Sequence, residues 1–328
     1  MNKSLNIGVF NPSLIHQASP YCGDQVFAKG LEQNGYEVTR VDYRAVRNPD
    51  QYLLEIADEI KPDLFWFGKC EKINPETIRV LKTKFPNSIF CKWAADMREE
   101  PYSLDLEHMK YIDMFFGTFG GEYLKKYLLP NVKGVCSIMT FTDSDFYKFY
   151  GITKEYEADV LWTGRRGFGD NPMRNEIINN LLYDVKNANV IGLKEWIGDP
   201  EYLYAINSAK IGIGSNSFNR RKYSSDRIGN YMACGTFYLT QYIEGIEECF
   251  QRGVHLDWFD SVKEMDEKID YYLNHPEERK RIAKAGQEFV LEHFDCKPLV
   301  ENILHVIKTG YSKYPWDEVY LNKKYDKE

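Results

Sequence analysis

No two cysteines in this sequence are spaced as C-x-x-C, and no cysteine–histidine spacing matches a zinc ligand set. The seven cysteines are scattered and odd in number. They read as reduced thiols rather than a disulfide framework. No stretch approaches the length of a membrane span. The first ten residues, MNKSLNIGVF, hold too short an apolar run for a secretory signal. A cytoplasmic protein with no membrane span is therefore expected. Excess positive charge is missing too: the net charge is −7 and the pI about 5.6. That argues against general nucleic-acid or membrane-surface binding, although a local basic loop can still hold a phosphate. There is no G-x-G-x-x-G loop and no internal repeat.

What is present is an ordinary globular composition over 328 residues, 43% hydrophobic and 28% charged. That length is more than one core usually organises, so two domains are expected. Tyrosine is abundant, at 24 residues. Tyrosine lines clefts for polar, ring-shaped ligands, and it serves plain packing equally well. In the first half, apolar strand-like runs alternate with helical periodicity. Ile7–Phe10 leads through a loop containing Ser13, His16, Gly23 and Asp24 into a helix ending at Asn34-Gly35. Strand NGYEV follows, then further helix–strand pairs to about residue 136. This predicts a mainly parallel sheet covered on both faces. Asp96 follows a strand end in WAADMRE. There a carboxylate serves as a general base or a hydroxyl acceptor, or simply caps the next turn.

Residues 141–154 look like a connector. A second βα series opens at Ala158–Gly164, followed by Arg165-Arg166 and a glycine-spaced loop. Arg165, after a strand and Gly164, suits a diphosphate: glycine permits close approach and arginine supplies a forked charged donor. It suits a surface loop equally. The expected division is 1–150, 151–308 and a tail, 309–328, packing back on the first domain or dangling.

The chain centres on Ser215–Thr240, SNSFNRRKYSSDRIGNYMACGTFYLT. A basic loop, Arg220-Arg221-Lys222, precedes Ser224-Ser225-Asp226-Arg227 and a short helical pattern. Ser224 or Ser225 is a good N-cap, and free amides at a helix start favour an anion. Ile228, Tyr231 and Met232 recur at core-facing spacing, and Arg227 and Asn230 share another face. Gly235 stops the helix. The stretch suits a phosphate-and-sugar site or an ordinary capped helix with a solvated loop.

The segments YSSDRIGNYMACGTFYLTQYIEGIEECF and YYLNHPEERKRIAKAGQEFVLEHF resemble the C-terminal domain of GT-B glycosyltransferases. The resemblance is to the spore-maturation-protein-like (CgeB-type) group, which is similar to glycosyltransferase family 4. ADVLWTGRR resembles the opening of that group's donor domain. The loop ending in Gly23-Asp24 and the NGYEV strand look like its acceptor domain.

The resemblance implies an α/β protein of two Rossmann-like domains facing a central cleft. It implies a nucleoside-diphosphate sugar, UDP or GDP, as co-substrate and no cofactor. It also implies no metal, since basic side chains and helix starts neutralise the leaving diphosphate. No DxD-like pair falls in a loop suited to that role. Arg165 matches the family's diphosphate arginine, and Ser225, Asp226 and Arg227 match its donor loop. Gly164, Ser215, Tyr223 and Ser224 flank these as donor-side candidates. Asn230 stands where the family often has a ribose-binding Glu. Asp96, Arg165 and Arg227 are the catalytic candidates; Ser13, Gly23, Asp24 and Asp96 are the acceptor-side ones. By likeness to family 4 the transfer is expected to retain configuration. A nucleotide-sugar epimerase or hydrolase and a non-catalytic nucleotide-sugar or glycan binder are the rival readings. Glycan, protein, metabolite and modified nucleic-acid base all fit as acceptor, and no residue specifies an oligomeric state.

Overall fold

The computed structural model describes residues 2–10, 23–97, 99–164, 169–191, 198 and 200–324. The chain divides into two compact units, residues 1–139 with 296–328 and residues 140–295. The first unit begins β1 (Lys3–Gly8), α1 (Gly23–Gln33), β2 (Glu37–Asp42), α2 (Pro49–Ile60), β3 (Leu64–Phe67) and α3 (Pro75–Lys84). It continues with β4 (Ile89–Ala94), α4 (Ser103–Met109), β5 (Met114–Gly117), α5 (Gly121–Lys125) and β6 (Gly134–Ser137).

The helix starts are written locally. Asn48 Oδ1 accepts from Gln51 N at 3.3 Å, and Asn74 Oδ1 from Glu76 N at 2.9 Å. Each asparagine precedes a proline at the first helical position, where no N–H is missed. Every residue of β3 (LFWF) and β5 (MFFG) is buried, as in strands covered on both faces. The strands pair in parallel in the order β6-β5-β4-β3-β1-β2. The order reverses between β1 and β3, and such a switch point opens a crevice at the carboxyl ends of the strands.

The second unit holds β7 (Ala158–Thr163), α6 (Pro172–Tyr183), β8 (Ala188–Ile191), α7 (Glu201–Ser208), β9 (Ala209–Gly214) and α8 (Arg227–Ala233). It ends with β10 (Phe237–Gln241), α9 (Ile246–Cys249), β11 (Asp257–Phe259), α10 (Val262–Asn274) and α11 (Pro276–Phe294). Its sheet, β11-β10-β9-β7-β8, is parallel throughout. Trp162, Ile211, Ile213 and Phe237 meet Ile177 and Ile282 in one apolar cluster.

α12 (Cys296–Thr309) and β12 (Val319–Leu321) return to the first unit. The boundaries thus fall at 139/140 and 295/296 rather than at 150 and 308. The cause is packing. Gly30 of α1 presents no side chain, so α12 approaches until Cys296 O and Val300 lie against it. Residues read as a connector belong to the second unit: Thr140 Oγ1 accepts from Gly229 N at 3.1 Å, and Thr142 N donates to Phe294 O at 2.9 Å. β12 pairs antiparallel with β6, Val319 opposite Cys136 and Leu321 opposite Gly134.

Candidate functional site

The second unit gathers its polar chemistry where β7 and β9 end. β7 stops at Gly164, whose φ of +143° is open to glycine and rarely adopted by other residues. A Cβ there would meet Arg174 Nη2 at 2.9 Å and Arg227 Nη1 at 3.3 Å. The missing side chain leaves room for two guanidinium groups. Both converge on the carbonyl of Ser215, the residue after β9. Arg174 Nη1 donates to Ser215 O, and Arg227 Nη2 donates to it at 2.7 Å. Arg227 Nη1 reaches Thr163 O at 3.3 Å. Arg174 also lies over the Trp162 ring, 4.9 Å from its centre, while Trp162 Nε1 donates to Ser215 Oγ at 3.1 Å.

These contacts position the two guanidinium groups. A carbonyl oxygen satisfies an N–H but carries no formal charge. Arg174 is 4% exposed. Burial, and then the charge of Arg227, bring its pKa down from 12.5 to about 9. It is still protonated at pH 7. Arg227 Nε and Ser225 Oγ are buried and find no hydrogen-bond partner among the described residues. Buried polar atoms left unmatched are costly, and they mark places where a ligand gains most.

Arg174 is the residue that sequence reasoning missed. One signal was available. It stands in the first turn of α6, where the helix dipole disfavours a cation, and no side chain caps that helix. Asn171, at the cap position, turns its side chain inward instead. Its Nδ2 donates to Asn216 O at 2.9 Å and Gln241 Oε1 at 2.7 Å. That ties the loop after β7 to the loop after β9.

The other candidates divide. Gly164, Ser215 and Arg227 are brought together. Tyr223 and Ser224 are buried beside them in the same loop, the Tyr223 carbonyl accepting from Asn216 Nδ2 at 2.6 Å. Neither Ser224 nor Ser225 caps α8. Exposed Asp226 occupies the cap position without a side-chain cap bond. At seven residues α8 is also too short to add much dipole to an anion site. Asn230 is buried with Ile228, Tyr231 and Met232, and its amide bonds the Tyr202 phenol. The basic loop is spent on ion pairs: Arg220 with Asp170, Arg221 with Glu248 at 2.6 Å, and buried Lys222 with Glu248 at 2.6 Å. Arg165, Ser13 and His16 lie outside the described residues.

In the first unit, Asp24 sits at the sheet's switch point. Its carboxyl lies against Gly8 and Gly68, where a Cβ on either would collide with it. It accepts from Val9 N at 2.8 Å and from Trp93 Nε1 at 2.7 Å. Gly23 presents its bare backbone to the Trp93 ring. Asp96 is more than half exposed and pairs with Lys69 at 3.4 Å. Lys92, also missed, is 1% exposed in β4. Its ammonium donates to Gly68 O at 2.9 Å and Lys69 O at 3.1 Å, and meets Asp105 at 3.3 Å.

Burial lifts the Asp24 pKa from 3.8 to about 6, against the hydrogen bonds that lower it. Burial and then Lys92 lower His108 from 6.5 to about 4. The two act oppositely on stability. Asp24 binds its proton more tightly folded, so its contribution is full below pH 4 and lost as pH rises through 6. His108 binds its proton less tightly folded, so its contribution is full above 6.5 and lost as pH falls through 4. Each is worth about 3 kcal/mol at the extremes, at ~1.4 kcal/mol per pKa unit. Asp24→Asn is therefore expected to steepen the fall in Tm on acidification from pH 6 to 4. Thermal unfolding at half-unit pH steps checks this; an unchanged slope contradicts the assignment.

Comparison with known proteins places this geometry. Residues 171–305 match the family model described as glycosyl transferase-like. No curated protein sequence matches the chain significantly. Among solved structures, a glycosyltransferase from Rickettsia africae is similar at a TM-score of 0.62 and 13% identity, covering 94% of this chain and 98% of its own. Sucrose-phosphate synthase from Thermosynechococcus elongatus has a TM-score of 0.62 and 11% identity, with coverage of 94% and 98%. Anabaena HepE, solved with UDP-glucose, has 0.59 and 12%, with coverage of 94% and 99%. The fold is GT-B, with two Rossmann-like domains.

Proposed function

We propose that this chain is a glycosyltransferase that moves a sugar from a nucleoside-diphosphate sugar to a hydroxyl-bearing acceptor. Arg174 and Arg227, held side by side on the carbonyl of Ser215, are the observation that carries this reading. Two adjacent cations attract a multiply charged anion more strongly than one does. A diphosphate supplies that anion and can satisfy Arg227 Nε and Ser225 Oγ as well. The glycosyl transferase-like match spans both Arg174 and Arg227. HepE, a structural neighbour, is a UDP-glucose complex, so a UDP-sugar is the first donor to try.

The chemistry asked of these residues is electrostatic. The bond between the sugar's anomeric carbon and the phosphate oxygen breaks, and a bond to the acceptor oxygen forms. Negative charge grows on the leaving diphosphate, and preorganised guanidinium donors stabilise it in proportion. In a retaining transfer, as the likeness to family 4 and the CgeB-type group implies, the departing phosphate takes the acceptor's proton. Arg165 is proposed to join the diphosphate grip. Gly164, Ser215, Tyr223, Ser224 and Asp226 would shape the donor side. Asn230 is proposed to join them on the donor side, where the family often has its ribose-binding Glu.

A thermal-shift panel of UDP, GDP, dTDP, ADP and CMP, with their sugars, tests the reading. A nucleotide present at 100 times its Kd adds about 2.7 kcal/mol, a shift of several degrees. One base is expected to stand out, and its sugar nucleotide to release nucleoside diphosphate on incubation. The reading fails if no nucleotide shifts Tm at millimolar concentration. Saturable binding with no turnover across acceptors would leave a binding protein instead.

A further inference from the structure

The first unit carries a cavity of about 780 Å³ at the carboxyl ends of its strands, with Asp24, Trp93 and Asp105 in its lining. We infer that this cavity takes a neutral, polyhydroxylated acceptor, a sugar or polyol, rather than an anionic one. The acceptor role rests on the transfer reading above; the ligand chemistry rests on the cavity itself.

The argument is one of matched charge. Every cation lining the cavity among the described residues already has an acid beside it. Arg44 binds Glu71 at 2.5 Å, with its Nε also donating to Glu71 at 2.7 Å. Lys69 pairs with Asp96 and Lys92 with Asp105. The Lys92 ammonium has three N–H groups. Gly68 O and Lys69 O take two of them, and Asp105 supplies the counter-charge at 3.3 Å. An incoming phosphate would have to break these pairs and leave carboxylates exposed to it. A polyanion such as a nucleic-acid backbone meets the same obstacle many times over.

A neutral polyol does not. The Asp96 and Asp105 carboxylates, each facing a single cation, keep lone pairs for a hydroxyl. Asp24 takes one donor on each oxygen, from Val9 N and Trp93 Nε1, and can accept another on either. With its pKa raised to about 6 by burial, Asp24 is mostly a carboxylate at pH 7, which repels an anion and accepts from a hydroxyl. Trp93, Leu104 and Ala94 supply apolar wall for the C–H faces of a ring. Cations already paired with acids, many hydrogen-bonding atoms and an apolar wall make a site for a hydroxylated ring.

Saturation-transfer NMR on the full chain tests this. The probes are methyl glycosides of glucose, galactose and mannose, with glucose 6-phosphate and a short single-stranded oligonucleotide as anionic arms. UDP is included to report the donor site. Neutral glycosides are expected to receive saturation, and the anions none beyond background. Filling the cavity with Ala95→Trp should abolish the glycoside signal while UDP still binds. Ser103→Trp, at the exposed rim, should do the same should the first variant fold poorly. Preference for either anion overturns the inference, as does silence from every glycoside with UDP binding intact. Glycoside signals that survive both variants place the ligand elsewhere and also overturn it. Loss of UDP binding in the unaltered protein counts against the transfer reading instead, so the two failures are distinguishable.

Discussion

Arg227→Ala is expected to weaken nucleoside-diphosphate binding by about 10- to 100-fold, with the affinity for the bare nucleoside unchanged within about twofold. The size follows from the environment. Hydrogen bonds to charged partners contribute about 1.5–3 kcal/mol each, and ~1.4 kcal/mol is tenfold in affinity. Arg227 lends at least one such bond, through a buried Nε with no hydrogen-bond partner among the described residues.

Arg174→Lys separates charge from shape. Lysine keeps the charge but cannot both fork onto Ser215 O and lie flat over Trp162, as Arg174 does. It should lose a smaller share of the diphosphate affinity and destabilise the second unit by about 1–2 kcal/mol. Arg220→Ala is the control. Its guanidinium is already paired with Asp170, so its loss should leave affinity within about twofold. Calorimetric titration with UDP and with uridine decides the matter. Equal losses for the two ligands would make both arginines structural and remove them from the site.

Lys92→Met is expected to destabilise the first unit by about 3–5 kcal/mol, the usual cost of removing one partner of a buried ion pair. Two carbonyls, Gly68 O and Lys69 O, lose their donor, and Asp105 loses its counter-charge. Methionine fills most of the volume, so the loss is electrostatic and not a cavity effect. The double variant Lys92→Met/Asp105→Leu should recover part of that loss, because the orphaned carboxylate goes with its partner. Hydrogen exchange at the amides of β3 and β4 reads both outcomes within this unit. If the single variant protects those amides as well as the unaltered protein, the ammonium is not holding the strand ends together. A double variant as weak as the single one would assign the loss to the carbonyls alone.

The contrast between Arg174 and Arg220–Lys222 shows where local reading stops. Three consecutive cations in a polar loop stood out in the sequence. Their partners did not, because Asp170 and Glu248 lie 50 and 27 residues away from the arginines they bind. Arg174 looked like one more polar residue on an amphipathic helix. Its meaning depends on Ser215, 41 residues on, and on Gly164 making room for it. The same holds in the first unit. Asp96 was legible as a carboxylate at a strand end, yet it is the exposed half of an ion pair. Asp24, beside it in the cavity lining, carries the unusual chemistry only because Gly8 and Gly68 close around it.

Alternation of strand and helix and the glycine stop at Gly235 with φ +79° were legible in the sequence alone. Each rests on interactions within a few residues, where side-chain chemistry dictates backbone geometry directly. The fold class followed from that alternation, since parallel strands need helical crossovers. Only tertiary structure decided that α12 and β12 rejoin the first unit. Only it decided which two arginines meet on the Ser215 carbonyl and which carboxyl group is buried enough to titrate near pH 6. Charge pairing and burial are properties of what lies beside a residue in space, and here those neighbours are tens of residues apart along the chain.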